Sequence, residues 1–133
     1  MRRMLLALAL AVCPALAADI YTFTVPPGVT FTSPAGVITG WGYSIHNESS
    51  SLWLVTTGLS SGTFQYATPT LLFDFPDLAP GATVSIPFDP VTSSGLLEVA
   101  WDASVPDGYI ASGAFDLTAE WWSGNPVNGG NVI

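Results

Sequence analysis

An all-β fold, an antiparallel β-sandwich of roughly seven to nine short strands, is what this sequence predicts, and three observations predict it. Beyond the first seventeen residues, apolar and polar side chains alternate with period two, the signature of half-buried strands. Turn residues interrupt that alternation at short intervals, as at Pro26-Pro27-Gly28, Pro80-Gly81 and Pro106-Asp107-Gly108. No stretch after the leader carries the 3.6-residue period of an amphipathic helix.

The elements follow in order. Arg2 and Arg3 precede an apolar run, Leu5 to Val12, and then Ala15-Leu16-Ala17, a small-residue cleavage pattern. This is the layout of a signal peptide over 1–17, expected as a helix and removed so that the chain begins at Ala18. The apolar run is too short for a helix to cross a hydrocarbon layer about 30 Å thick. Val12 and Pro14 flank Cys13 where an acylated cysteine wants a small neighbour, so the leader does not read as a lipoprotein signal. Residues 18–133 are expected to form one domain.

Within it, Tyr21, Phe23 and Val25 alternate with threonines up to Pro26. Trp41, Tyr43 and Ile45 alternate with Gly40, Gly42, Ser44 and His46 up to the polar turn Asn47 to Ser51. Leu52 to Thr57 and Thr63 to Tyr66 read as short strands, and Leu71, Phe73 and Phe75 as one face of another. Pro80-Gly81 launches Val84, Ile86 and Phe88. Leu97, Val99 and Trp101 form the inner set of the next strand, and Phe115, Leu117, Ala119 and Trp121 that of the last. Residues 123–133 are Gly- and Asn-rich and read as a loose tail or an incomplete edge strand.

Charge narrows the partners. Loss of the two arginines with the leader takes the formal charge from −8 to −10, with no Lys or Arg remaining. Such a chain has no cation with which to displace counterions from phosphate, which excludes nucleic acid, and its field repels anionic lipid. No second membrane span is expected after cleavage. Cys13 is the only cysteine, so no disulfide can form in the exported domain.

Candidate chemistry is sparse. His46 is the only histidine and sits at a strand end beside a Ser-rich turn, without a nucleophile context. The carboxylate pairs Glu98 with Asp102 and Asp116 with Glu120 lie about 13 Å apart along their strands, beyond the separation glycoside hydrolysis uses. Asp74 and Asp77 form the nearest approach to a calcium cluster, without the acidic loop pattern of a calcium site, and one histidine does not make a zinc site. No catalytic residue, metal or cofactor is expected. The aromatic residues are more informative. With Trp121 packed inward, alternation turns Trp122 outward beside Glu120, where an indole can stack on a sugar ring or lie under the tail. Trp53 is the second candidate for such a platform.

Three segments carry a family resemblance: Trp41-Gly42-Tyr43-Ser44-Ile45-His46-Asn47, Leu78-Ala79-Pro80-Gly81-Ala82-Thr83-Val84, and Ala111 to Trp122 with its Leu-x-Ala-Glu-Trp-Trp strand. Together they resemble bacterial PEP-CTERM secreted proteins with an Ig-like β-sandwich. That resemblance implies export, no enzymatic activity, and service at the cell surface or in an exopolysaccharide matrix. It also implies a Pro-Glu-Pro segment, an apolar helix and a basic tail, none of which occurs before Ile133, so either a soluble relative or a frame cut before the sorting segment is expected.

The expectation is therefore an exported, monomeric or weakly associating, non-catalytic β-sandwich of the periplasm, cell surface or extracellular matrix. Its partners would be extracellular polysaccharide or cell-surface components, met through loops such as Ser49 to Ser51 and Thr56 to Thr63. A carbohydrate-binding module using Trp122 and Trp53 is the first alternative, and a glycoside hydrolase the second.

Overall fold

The computed structural model describes residues 7–11, 19–111 and 113–133. The described chain is all-β and antiparallel, consistent with a β-sandwich. Among the described residues, ten strands follow residue 18, more than the alternation alone predicted. They fall in three sheets.

The first sheet has the order β1-β2-β5-β9, from β1 (Ala7–Ala11), β2 (Asp19–Thr24), β5 (Tyr43–Asn47) and β9 (Thr83–Ile86). The second runs β3-β4-β10-β7, from β3 (Val29–Ser33), β4 (Gly36–Trp41), β10 (Leu97–Trp101) and β7 (Ala67–Leu71). The third runs β11-β6-β8, from β11 (Phe115–Trp122), β6 (Trp53–Ser61) and β8 (Asp77–Leu78).

Most of the segment expected as a signal-peptide helix lies outside the described residues. Residues 1–6 and 12–18 lie outside the described residues, but Ala7–Ala11 is extended and pairs with β2, Ala9 opposite Tyr21.

Alternation built the core as predicted. Tyr21, Phe23 and Val25, then Trp41, Tyr43 and Ile45, then Leu97 and Val99, then Phe115 and Leu117 are all buried in one cluster. Burying each large apolar side chain contributes on the order of 2 kcal/mol before the entropy cost of ordering it. The third sheet packs against both others: Tyr21 meets Trp121 edge-on at 6.2 Å, and Trp41 meets Phe115 edge-on at 5.4 Å.

The run Trp41 to Ile45, predicted as one strand, belongs to two. Gly42 lies at the corner where the chain leaves the second sheet and enters the first, and a Cβ there would meet the Ile86 carbonyl oxygen and Pro87 Cα. Glycine permits that close approach while Trp41 and Tyr43 stay buried on either side.

Other expectations are corrected. Thr63 to Tyr66 is not a strand; Tyr66 has φ +63° and turns the chain into β7. Leu71, Phe73 and Phe75 do not share a face: β7 ends at Leu71, only Phe73 is buried, and Phe75 has φ +52°. Phe88 lies past the end of β9, its ring covering the site where a Cβ on Gly40 would stand. The hairpin β3–β4, turning through Pro34-Ala35, was not anticipated before Gly40.

Of the two loops offered for display, Ser49 to Ser51 is a turn between β5 and β6 with Ser50 and Ser51 exposed, whereas most of the second is strand. Thr56 to Ser61 belongs to β6, and Ser49 is buried, its Oγ accepting from the Ser51 and Leu52 backbone amides. Asn47, wholly buried, organises this turn. Its Nδ2 lies within hydrogen-bond distance of the Leu52, Leu78 and Ala79 carbonyls, and its Oδ1 accepts from Ser49 N–H. The tail turns back at Asn125. Ser123 N–H donates to the Asn131 carbonyl and Ile133 N–H to that of Trp121, bringing Val132 opposite Trp122.

Candidate functional site

The register of the third sheet brings the two predicted platform residues together. Trp122 stands directly opposite Trp53 across β11 and β6. Antiparallel partners on one face have Cβ atoms about 5 Å apart, so the two indoles form one surface element. Both are partly exposed, whereas Trp121 packs against the core and Leu54 beside Trp53 is fully buried. The tail's contacts run along the β11 backbone and leave Trp122 partly exposed.

The next row of the same face joins Glu120, Val55 and Asp77, since Glu120 pairs with Val55 and Val55 with Asp77. Glu120 Oε2 accepts from the Trp122 indole Nε1–H at 3.3 Å, holding the ring in place. Beyond lie Thr57 and Thr118, their hydroxyls 3.1 Å apart. Two indoles, two exposed carboxylates and two hydroxyls thus share one flat sheet face.

A bulge shapes that face. The register slips between Thr118 and Ala119 so that Thr57 is extra on β6, which moves the inward set from Leu54 and Thr56 to Leu59. Gly58 lies at the slip, with Thr118 Oγ1 2.6 Å from where a Cβ would be. Thr56, turned inward, donates its hydroxyl to the Pro76 carbonyl and ties the approach to β8.

A second concave surface was not foreseen. The hairpin β3–β4 and the loop Asp102 to Tyr109 enclose a groove of about 720 Å³, within the range of small-ligand sites. It is lined by Trp101 and Tyr109, edge-on at 6.3 Å, by Thr30 and Thr39, and by the exposed Asp102 and Asp107. Trp101 Nε1–H donates to Thr39 Oγ1 at 2.9 Å, which fixes the indole plane. The run Trp101-Asp102 followed by Pro106-Asp107-Gly108-Tyr109 was the available signal, an aromatic and an acid on each side of a turn.

The other candidates scatter. No family model matches this chain, and no curated protein or solved structure matches it either. His46 lies on the outer face of the first sheet between Thr22 and Thr83, its Nδ1 2.7 Å from Thr83 Oγ1. Glu98 sits mid-strand on β10, but Asp102 lies past the strand's end at the groove and so does not share its face, correcting the paired reading. Asp74 accepts the Tyr43 hydroxyl at 2.7 Å, and no group of three metal-ligating side chains occurs among the described residues. Burial, with the Asp74 hydrogen bond and charge adding to it, pushes the Tyr43 phenol above its usual range, and burial raises Tyr21 also.

Proposed function

We propose that this protein is an exported, non-catalytic β-sandwich of the bacterial cell surface or extracellular matrix that holds polysaccharide on the outer face of the β11-β6-β8 sheet. The observation that carries this reading is the register pairing of Trp53 with Trp122 beside Glu120 and Asp77. Two indoles side by side on one sheet face can stack on the apolar faces of successive pyranose units, and flanking carboxylates accept hydrogen bonds from sugar hydroxyls. The leader pattern at 1–17 and the resemblance to PEP-CTERM secreted proteins support export and a matrix role. No cation remains to attract an anionic polymer, so the proposed glycan is neutral or basic.

Retention on insoluble polysaccharides tests it. Trp53→Ala and Trp122→Ala should each weaken retention about thirtyfold, corresponding to the roughly 2 kcal/mol of a buried-ring contact at a binding hot spot. Retention unchanged in the double variant, with the fold intact by circular dichroism, would refute the platform. N-terminal sequencing of the secreted protein should begin at Ala18.

A further inference from the structure

We infer that the groove between the β3–β4 hairpin and the Asp102–Tyr109 loop is a second site, and that it takes the ammonium group of an amine-bearing sugar, so that the matrix partner is a polysaccharide with free amino groups. This rests on the proposed glycan-binding role and specifies the glycan's chemistry.

Three features of the groove argue for it. Its aromatic side chains are held by contacts within the protein: Thr39 accepts from the Trp101 indole, and Tyr109 lies edge-on to both Trp101 and Tyr66, at 6.3 and 5.1 Å. The loop is held by consecutive turns, Val105 N–H to the Asp102 carbonyl and Tyr109 N–H to that of Pro106, and anchored by Asp102 N–H to the Tyr66 carbonyl. A preordered site loses little entropy on binding.

The second feature is charge. Asp102 and Asp107 line the groove together with Trp101 and Tyr109, and after export no Lys or Arg exists to pair either carboxylate. An ammonium between an indole or phenol face and a carboxylate gains both cation–π and ionic attraction. The third is polar matching. The hydroxyl of the exposed Thr30, itself 2.8 Å from Thr39 Oγ1, lines the groove and offers a partner to a sugar hydroxyl. A neutral sugar would use the rings and the threonine but leave the two carboxylates without a counter-charge; an acidic sugar would be repelled by them.

The test titrates the purified protein with a short glucosamine oligomer, its fully N-acetylated counterpart and polylysine of equal charge, followed by tryptophan fluorescence and calorimetry. The free-amine oligomer should bind at least about tenfold tighter than the acetylated one, and the preference should vanish at pH values where the amine is neutral. Asp102→Asn with Asp107→Asn, an exposed pair whose exchange leaves the core intact, should abolish most of the preference; Tyr109→Ala should weaken binding of the free-amine oligomer while sparing retention through Trp53 and Trp122. Equal binding of both oligomers, a preference that survives the Asp102 and Asp107 exchanges, or equally tight binding of polylysine would each overturn the inference. Loss of retention only in the Trp53 and Trp122 variants tests the platform separately, because Asp102 and Asp107 remain intact there.

Discussion

The outer face of the β11-β6-β8 sheet and the groove under the Asp102–Tyr109 loop carry the same chemistry, two aromatic rings with two exposed carboxylates, on opposite kinds of scaffold. The first is written into strand register, so each side chain's position follows from backbone pairing. The second is assembled from a hairpin and a loop some sixty or more residues apart, and its shape depends on tertiary packing. A flat face suits an extended polymer, whereas a bounded groove suits one sugar residue. The two surfaces can therefore be broken independently, and variants that do so sharpen the contrast.

The largest expected effect lies beneath the platform. Asn47 connects the turn after β5 to the carbonyls of Leu78 and Ala79 at β8, the strand that presents Asp77. Asn47→Ala removes the two amide hydrogens shared among these carbonyls and the acceptor of the Ser49 amide at a buried site, which should lower stability by about 3 kcal/mol in urea unfolding. Hydrogen exchange should show β8 opening first, with the amides of Asp102 and Tyr109 at the groove less affected.

That difference also marks what was legible in the sequence. β11 alternates without a break, so Trp121 inward and Trp122 outward could be read from residues 115 to 122 alone. In β6 the bulge at Thr57 inserts one residue, so the inward positions jump from Thr56 to Leu59 and the period-two reading stopped at Thr57. Trp41 and Tyr43 were legible as core because glycine at 42 keeps their parity, but parity does not say that the strand changes sheets there. The groove was illegible for a different reason: Thr30 and Asp107 belong to separate alternating runs, and nothing local states that the hairpin and the loop meet. Ser49 read as a loop serine because composition cannot distinguish a solvated hydroxyl from one that caps a turn.

A smaller effect isolates the bulge beside the platform. A methyl group on Gly58 would press on Thr118 Oγ1, the end of a side chain that can rotate, so Gly58→Ala should cost about 1 kcal/mol in stability. Glycan retention should fall several-fold while binding of the amine oligomer at the groove is unchanged. Adding Thr118→Ala removes the obstructing hydroxyl and should restore retention; a double variant no better than Gly58→Ala would mean the bulge does not set the spacing of Trp53 and Trp122.

The smallest effect concerns the segment that leads into β8. Tyr43 donates its hydroxyl to Asp74 Oδ1, holding the chain between β7 and Asp77 against the first sheet. Tyr43→Phe should cost about 1 kcal/mol near neutral pH, the net worth of one hydrogen bond whose acceptor residue is exposed. The pH dependence has a definite sign. Burial first, then the Asp74 hydrogen bond and charge, raise the phenol's pKa in the folded state above its unfolded value of about 10. The folded protein therefore retains a proton that the unfolded chain releases, and the associated stability is complete below about pH 10 and declines as pH rises through the folded value. Wild-type unfolding free energy should fall with pH above that point. Because Tyr21 is raised by burial as well, Tyr43→Phe should make the decline shallower without abolishing it. Equal alkaline slopes in the two proteins would show that the Tyr43 phenol does not contribute to the decline.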